Sequence, residues 1–71
     1  MDKLIDISIN DIRRLQTDIL LTLNDQFVYI IENNSNLTEL EKMSYCHKYN
    51  EIQIELFNRS IIQHTKLIFI E

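Results

Sequence analysis

The chain contains no glycine, proline, tryptophan or alanine, and it has a single cysteine. Without glycine it cannot form the glycine-rich loops that cradle phosphates, which excludes P-loop and dinucleotide-binding motifs. Without glycine and proline it lacks the usual residues of tight turns, so few chain reversals are expected. One thiol, Cys46, allows neither an internal disulfide nor a thiolate zinc cluster and suits a reducing compartment. We therefore expect a cytoplasmic protein.

Long apolar runs and excess positive charge are also absent. No run approaches the roughly 20 apolar residues of a transmembrane helix, and the first residues do not resemble a signal peptide. The formal net charge is −4, whereas binding to nucleic acid depends on clustered Lys and Arg. We expect neither membrane insertion nor direct nucleic-acid binding. The 71 residues are expected to form one domain, 1–71, close to the lower size limit for a stable core.

Apolar residues of the first half recur at helical spacing and predict a helix over about residues 9–32. Ser8 is the predicted N-cap, with Ile7 and Ile12 placed to form a hydrophobic staple. The apolar face of this helix comprises Ile12, Leu15, Ile19, Leu23, Phe27, Ile30 and Ile31. Its opposite side carries an acidic face with one carboxylate every seven residues: Asp11, Asp18, Asp25 and Glu32. Charge runs usually face solvent, but this one is also a candidate docking surface for a cationic partner.

The asparagine-rich segment 33–37 is the one convincing break, because Asn tolerates the left-handed backbone of a helix end. Thr38 and Glu41 then form a capping box that begins a second predicted helix, over about residues 38–66 or longer. Its apolar residues form a heptad seam expected to pack on the first helix: Leu40, Met43, His47, Asn50, Ile54, Phe57, Ile61, His64 and Ile68. In a minor variant, residues 5–9 and 67–70 pair instead as a short antiparallel ribbon.

Three polar residues of the heptad seam, His47, Asn50 and His64, are interpreted as register and partner-specificity residues. On one straight helix His47 and His64 lie about 25 Å apart and cannot share a metal ion within the chain. Cys46 is interpreted as a small core residue, because neighbouring helical residues point about 100° apart and make a poor nucleophile–base pair. We therefore predict no catalytic residue, cofactor or metal site. The rival class is an enzyme or sensor that uses these histidines at an oligomer interface.

A second apolar face, roughly opposite the heptad seam, predicts a partner: Tyr45, Tyr49, Ile52, Leu56, Leu67 and Ile70. A lone hairpin buries one stripe per helix, and an exposed apolar patch of this size usually marks an interface. The predicted fold class is all-α, an antiparallel two-helix hairpin completed to a four-helix bundle by dimerisation or by a partner's helices. The predicted function is a small non-enzymatic protein–protein interaction module, such as an adaptor, small subunit or inhibitor of a larger protein.

Two alternatives remain open for the function. The acidic face suits a DNA mimic or antirepressor-type regulator that blocks a DNA-binding protein. The other alternative rests on a set of positions at the start of the second helix: Leu37, Thr38, Glu41, Met43, Tyr45, Cys46, Tyr49 and Asn50. In that frame the stretch resembles the pattern L-T-x-x-E-x-L-x-L-S-x-x-L-D of small two-helix phosphatases that act on aspartyl-phosphate in sporulation signalling. The resemblance implies a degenerate signalling protein, because Cys46 replaces the family's Ser and Asn50 its functional Asp.

Overall fold

The computed structural model describes residues 7–33 and 36–69. Within these ranges the fold class is all-α: there is no strand, and there are three helices, α1 (Ile9–Arg14), α2 (Thr17–Asn33) and α3 (Glu39–Asn58). Both α1 and α2 pack against α3. Residues 59–69, here called the tail, are non-helical and return along α3 in the opposite direction, so that the tail covers a further side of the same helix.

The first predicted helix is divided between α1 and α2, which corrects the continuous helix expected over 9–32. Leu15 closes α1 with an extended backbone (φ −68°, ψ 146°), and α2 begins at Thr17. The guanidinium of Arg59 occupies the break: Nη1 donates to Leu15 O at 2.6 Å and Nη2 donates to Arg13 O at 2.9 Å. These carbonyls lie at the end of α1, where no later turn of the helix can donate to them, so the arginine satisfies them instead.

Both predicted helix starts are confirmed by their capping bonds. The Ser8 hydroxyl accepts from the backbone N–H of Asp11 at 3.1 Å and caps α1. Thr38 and Glu41 form the complete capping box of α3: Thr38 Oγ1 accepts from Glu41 N–H, and Glu41 Oε1 accepts from Thr38 N–H, each at 3.2 Å. Such caps stabilise a helix by about 1 kcal/mol each because they satisfy N–H groups that the helix itself leaves free.

α3 ends at Asn58, well before the predicted end of the second helix. The backbone N–H of Ser60 donates to Phe57 O and that of Ile61 donates to Leu56 O, both at 3.0 Å. These two bonds form a Schellman motif, which needs a left-handed residue just after the helix. Ser60 supplies it with a φ of 60°. The chain therefore turns sharply at Ser60, and the remaining apolar residues become a tail instead of a helix.

The ribbon predicted as a minor variant does not occur among the described residues. Ile9 begins α1, and the described end of the tail, Leu67 to Phe69, has no strand pairing. Residues 5, 6 and 70, which that variant also used, lie outside the described residues.

The core lies between α1, α2 and α3. Its buried members come from all three helices: Ile12, Leu20, Leu23, Phe27, Tyr49, Ile52 and Leu56. Ile7 packs against this cluster, as expected of the staple with Ile12. Two tail residues, Ile62 and Ile68, pack against it from a further side. A chain this short therefore gains core volume from a non-helical segment as well as from its helices.

Candidate interaction surface

The second apolar face, predicted to bind a partner, lies in the core of the chain itself. Tyr49, Ile52 and Leu56 are 5%, 0% and 1% exposed, and Tyr45 packs edge-to-face on Phe27 with 5.5 Å between ring centroids. This corrects the predicted partner strip, because a partner cannot reach these side chains in the folded chain. Of the other predicted members, Leu67 is half-buried in the tail, and Ile70 lies outside the described residues.

The heptad seam, expected to pack on the first helix, is instead the surface that α3 leaves exposed. Leu40, Met43, Ile54 and Phe57 are 77%, 48%, 38% and 49% exposed. The polar residues at the centre of the seam explain why α2 packs on the second apolar face of α3 instead. Burying His47 and Asn50 under α2 without hydrogen-bond partners would be unfavourable, whereas the second apolar face offers α2 tyrosine, isoleucine and leucine side chains, and the one amide buried there, that of Gln53, donates to Asn24 of α2.

The part of the seam that lies on α3 is here called the heptad stripe; Asn50 in it is half-buried, and its other members are exposed. It consists of Leu40, Met43, His47, Asn50, Ile54 and Phe57. The residues alternate at spacings of three and four, so they follow one side of the helix over about 25 Å. Of the remaining seam positions, Ile61, His64 and Ile68 lie in the tail, beyond the end of α3.

The tail runs along one edge of the heptad stripe. Asn50 holds Ile68 through both ends of its side-chain amide, and a shallow pocket of about 140 Å³ lies between them. The pocket is lined by Met43, Cys46, His47, Asn50 and Ile68. Phe69, the next tail residue, is exposed. The opposite edge of the stripe carries Lys48 and Glu51, both half-buried, and the stripe between the two edges is open.

The predicted register residues therefore have separate roles. His47 is exposed on the heptad stripe, and Asn50 binds the tail. His64 is not on α3 at all, because the helix ends before it. No group of three or more His, Cys, Asp or Glu residues within ranges 7–33 and 36–69 is arranged to hold a metal ion.

A groove of about 540 Å³ separates α2 from the tail. Gln53 is buried in its floor: its Nε2 donates to Asn24 Oδ1 at 2.6 Å, and its Oε1 accepts from Lys66 N–H at 3.0 Å. Tyr49 also lines the groove. Burial raises the pKa of the Tyr49 hydroxyl, and the nearby Glu32 carboxylate raises it further. Both ends of the Gln53 amide thus take part in joining α2, α3 and the tail.

The acidic face is exposed but divided. Asp18, Asp25 and Glu32 follow one side of α2, whereas Asp11 lies on α1, beyond the break between the two helices. Asp25 and Glu32 line the groove together with His64 and Lys66 of the tail. The continuous carboxylate ridge that the seven-residue spacing predicts is therefore interrupted, and part of it lies beside basic side chains.

The two positions that carry the phosphatase resemblance do not present free groups. Cys46 is buried, in agreement with its interpretation as a small core residue. Burial raises the pKa of its thiol, an effect that the Lys42 ammonium partly opposes. A thiol in this state is a weak nucleophile, since the thiolate is the reactive form. Asn50, in place of the family's Asp, has its amide bonded to the tail.

Sequence reasoning missed the tail and the side chains that hold it. Gln53 and Asn50 interrupt the apolar faces of α3 near its centre, and Arg59 follows the helix directly. Polar residues set among apolar ones in this way are the available signal, because buried amides and guanidinium groups need partners. What the sequence pattern does not contain is the identity of those partners, which are backbone atoms of the tail and of the α1–α2 break.

None of the helices described here is both long enough and apolar enough to cross a membrane. Comparison with protein-family models, with curated proteins and with solved structures gives no match.

Proposed function

We propose that the protein is a small non-enzymatic interaction module that binds another protein surface through the heptad stripe of α3. The observation that carries the proposal is the exposure of Leu40, Met43, Ile54 and Phe57 along one line of the helix. Single exposed apolar residues are ordinary on protein surfaces, but four of them on one side of a helix, in two pairs that flank His47 and Asn50, are typical of an interface. The proposed function is the one expected from the sequence, but the proposed binding surface is the heptad stripe and not the second apolar face of α3.

The spacing of the stripe favours a helix or a helical groove as the binding element of the partner. Apolar residues at alternating spacings of three and four present one continuous ridge to a neighbouring helix. Complete burial of one such side chain is worth on the order of 1.5–3 kcal/mol. Several half-exposed side chains together therefore supply enough free energy for micromolar binding after the entropic loss of association.

The use of the chain's polar groups also favours an interaction role over catalysis. The Cys46 thiol is buried with a raised pKa. The amides of Asn50 and Gln53 hold the tail, and the guanidinium of Arg59 holds the α1–α2 break. Catalysis needs a positioned group that is free to exchange a proton or attack a substrate, whereas these groups are committed to the fold.

Site-specific photo-cross-linking in the source cell tests the proposal. A benzoyl-phenylalanine replaces Phe57 on the heptad stripe, and the control carries it in place of Tyr29, an exposed aromatic residue of α2. We expect a discrete protein adduct from position 57, formed with another protein or with a second copy of the chain. The additional variant Ile54→Glu should remove this adduct. Equal adducts from positions 57 and 29, or none from position 57, would contradict the proposal.

A further inference from the structure

The order of apolar and polar residues along the heptad stripe is the same in both directions. Along α3 it has two apolar residues, Leu40 and Met43, then two polar ones, His47 and Asn50, and then two apolar ones, Ile54 and Phe57. The spacings of three, four, three, four and three residues are symmetric too. A surface with this property is complementary to a copy of itself that runs in the opposite direction, as an isologous two-fold interface requires.

We infer that the heptad stripe binds a second copy of this chain, with the two α3 helices antiparallel about a two-fold axis midway between His47 and Asn50. The inference rests on the proposed function and names its partner. About this axis Leu40 packs on Phe57 of the second copy and Met43 packs on Ile54 of the second copy. Apolar residues therefore meet apolar residues on both sides of the centre.

The polar centre is matched in the same arrangement, because His47 faces Asn50 of the second copy twice. The Asn50 amide has two N–H donors, and one of them donates to Ile68 O at 2.7 Å. The other is available to an imidazole nitrogen of His47 across the axis. A polar residue at a single seam position commonly fixes the register and orientation of paired helices, and this pair acts in that way.

The pairing of unlike side chains also favours the antiparallel arrangement. Glu51 borders the stripe on its open edge, and the same axis brings Glu51 within about one helical turn of His47 of the second copy. Ser44, a neutral residue, is the nearest edge residue opposite Glu51. A parallel pair would instead set His47 beside His47 and Asn50 beside Asn50, so the match between these two polar residues would be lost.

The dimensions of the stripe indicate a weak dimer. A contact about 25 Å long between single helices falls in the class of small interfaces, which bury less than about 1,200 Å² in total. As far as Phe69, the last described residue, the tail borders the stripe on the Asn50 side, and Leu40, Met43, Ile54 and Phe57 of the stripe stay exposed. The association is therefore expected in the micromolar range and has to be measured over a wide range of concentrations.

Sedimentation of the full chain from low micromolar to several hundred micromolar concentration tests the inference. We expect a reversible monomer–dimer equilibrium. Ile54→Glu should weaken it at least tenfold, because the carboxylate faces Met43 of the second copy, while circular dichroism should show a folded monomer. The matched control is Leu21→Glu on α2, which is equally exposed at 39% against 38% for Ile54 and should leave the dimer unchanged. A monomer at all concentrations, or equal effects of both variants, would overturn the inference.

The orientation has its own test. Met43→Cys and Ile54→Cys proteins are mixed and oxidised, and an antiparallel pair should give mainly the mixed disulfide. Each variant cross-linking mainly with itself would overturn the antiparallel arrangement. If the chain stays monomeric while position 57 cross-links to a different protein in the cell, this inference fails and the proposed function stands.

Discussion

The side-chain amide of Asn50 holds the backbone of Ile68 by two hydrogen bonds: Nδ2 donates to Ile68 O at 2.7 Å, and Oδ1 accepts from Ile68 N–H at 2.8 Å. The amide thus pairs with both backbone groups of one residue, much as a neighbouring strand would. One turn further along α3, Gln53 Oε1 accepts from Lys66 N–H at 3.0 Å. Side chains of α3 therefore satisfy backbone groups of the tail that a sheet would otherwise satisfy.

Asn50→Ala is expected to loosen the tail. Two hydrogen bonds are lost, each worth about 1 kcal/mol net, so the free energy of unfolding should fall by about 1–2 kcal/mol. Hydrogen exchange at the Ile68 amide should become roughly tenfold faster, because local opening of the tail becomes easier. Urea unfolding and amide exchange, at concentrations where the chain is monomeric, measure the two effects. The control is Asn58→Ala at the exposed end of α3, and an equally large effect there would contradict the role of Asn50.

Arg59→Ala is expected to destabilise the fold more than any other single surface change. Arg59 donates to Leu15 O at 2.6 Å and to Arg13 O at 2.9 Å, and its Nε forms an ion pair with Glu55 at 2.7 Å. Hydrogen bonds from a charged donor are worth about 1.5–3 kcal/mol each before screening. Since the side chain is about one-fifth exposed, we expect a loss of about 2–3 kcal/mol, measured by urea unfolding.

The ion pair and the backbone contacts of Arg59 can be separated by Glu55→Gln. This change removes the charge of Glu55 and leaves the bonds from Arg59 to α1 in place. A helix pair at this spacing is worth about 0.3–0.5 kcal/mol when exposed, so the loss should stay below about 1 kcal/mol. If Glu55→Gln were as damaging as Arg59→Ala, the support of the α1–α2 break would not be the main role of Arg59.

Stability should fall at alkaline pH because of two buried acids in α3. Burial raises the pKa of the Cys46 thiol above its ordinary value of 9.0 and that of the Tyr49 hydroxyl above 10.0. The unfolded chain therefore releases these protons first as the pH rises. Their stabilisation is complete below the ordinary values and is lost as the pH rises through the raised ones. Chemical denaturation across this range should show the decline.

The variants Tyr49→Phe and Cys46→Ser should each reduce the alkaline slope, because each removes one of the titrating groups. Tyr29→Phe is the matched control, since Tyr29 is 69% exposed on α2. Its slope should equal that of the original chain. An unchanged slope in Tyr49→Phe would show that the buried hydroxyl does not contribute to the loss of stability.

Helix starts and the helical class follow directly from local sequence. Ser8 before α1, and Thr38 with Glu41 before α3, form the predicted caps because the side chain and the N–H group that it caps are only three residues apart. Such contacts depend on short spacing alone. They need no knowledge of the rest of the fold, which is why sequence spacing predicts them.

The choice between the two faces of α3 depends on the rest of the fold. Both faces are apolar at helical spacing, and local pattern does not rank them. The deciding feature is long-range: α2 avoids the side that contains His47 and Asn50 and covers Tyr49, Ile52 and Leu56. The break after Arg14 is equally long-range, because Arg59 supports it from a position more than forty residues away.

The left-handed turn at Ser60 sets how long the heptad stripe is. A non-glycine residue in this conformation is disfavoured by about 1–2 kcal/mol, and this chain has no glycine to relieve it. The turn persists because Asn50 and Gln53 bind the tail residues that the turn brings back along α3. Straightening at Ser60 would release the strain, break those bonds and carry Ile61 into an additional turn of α3. The hydrogen bonds that hold the tail therefore also limit the length of the exposed heptad stripe.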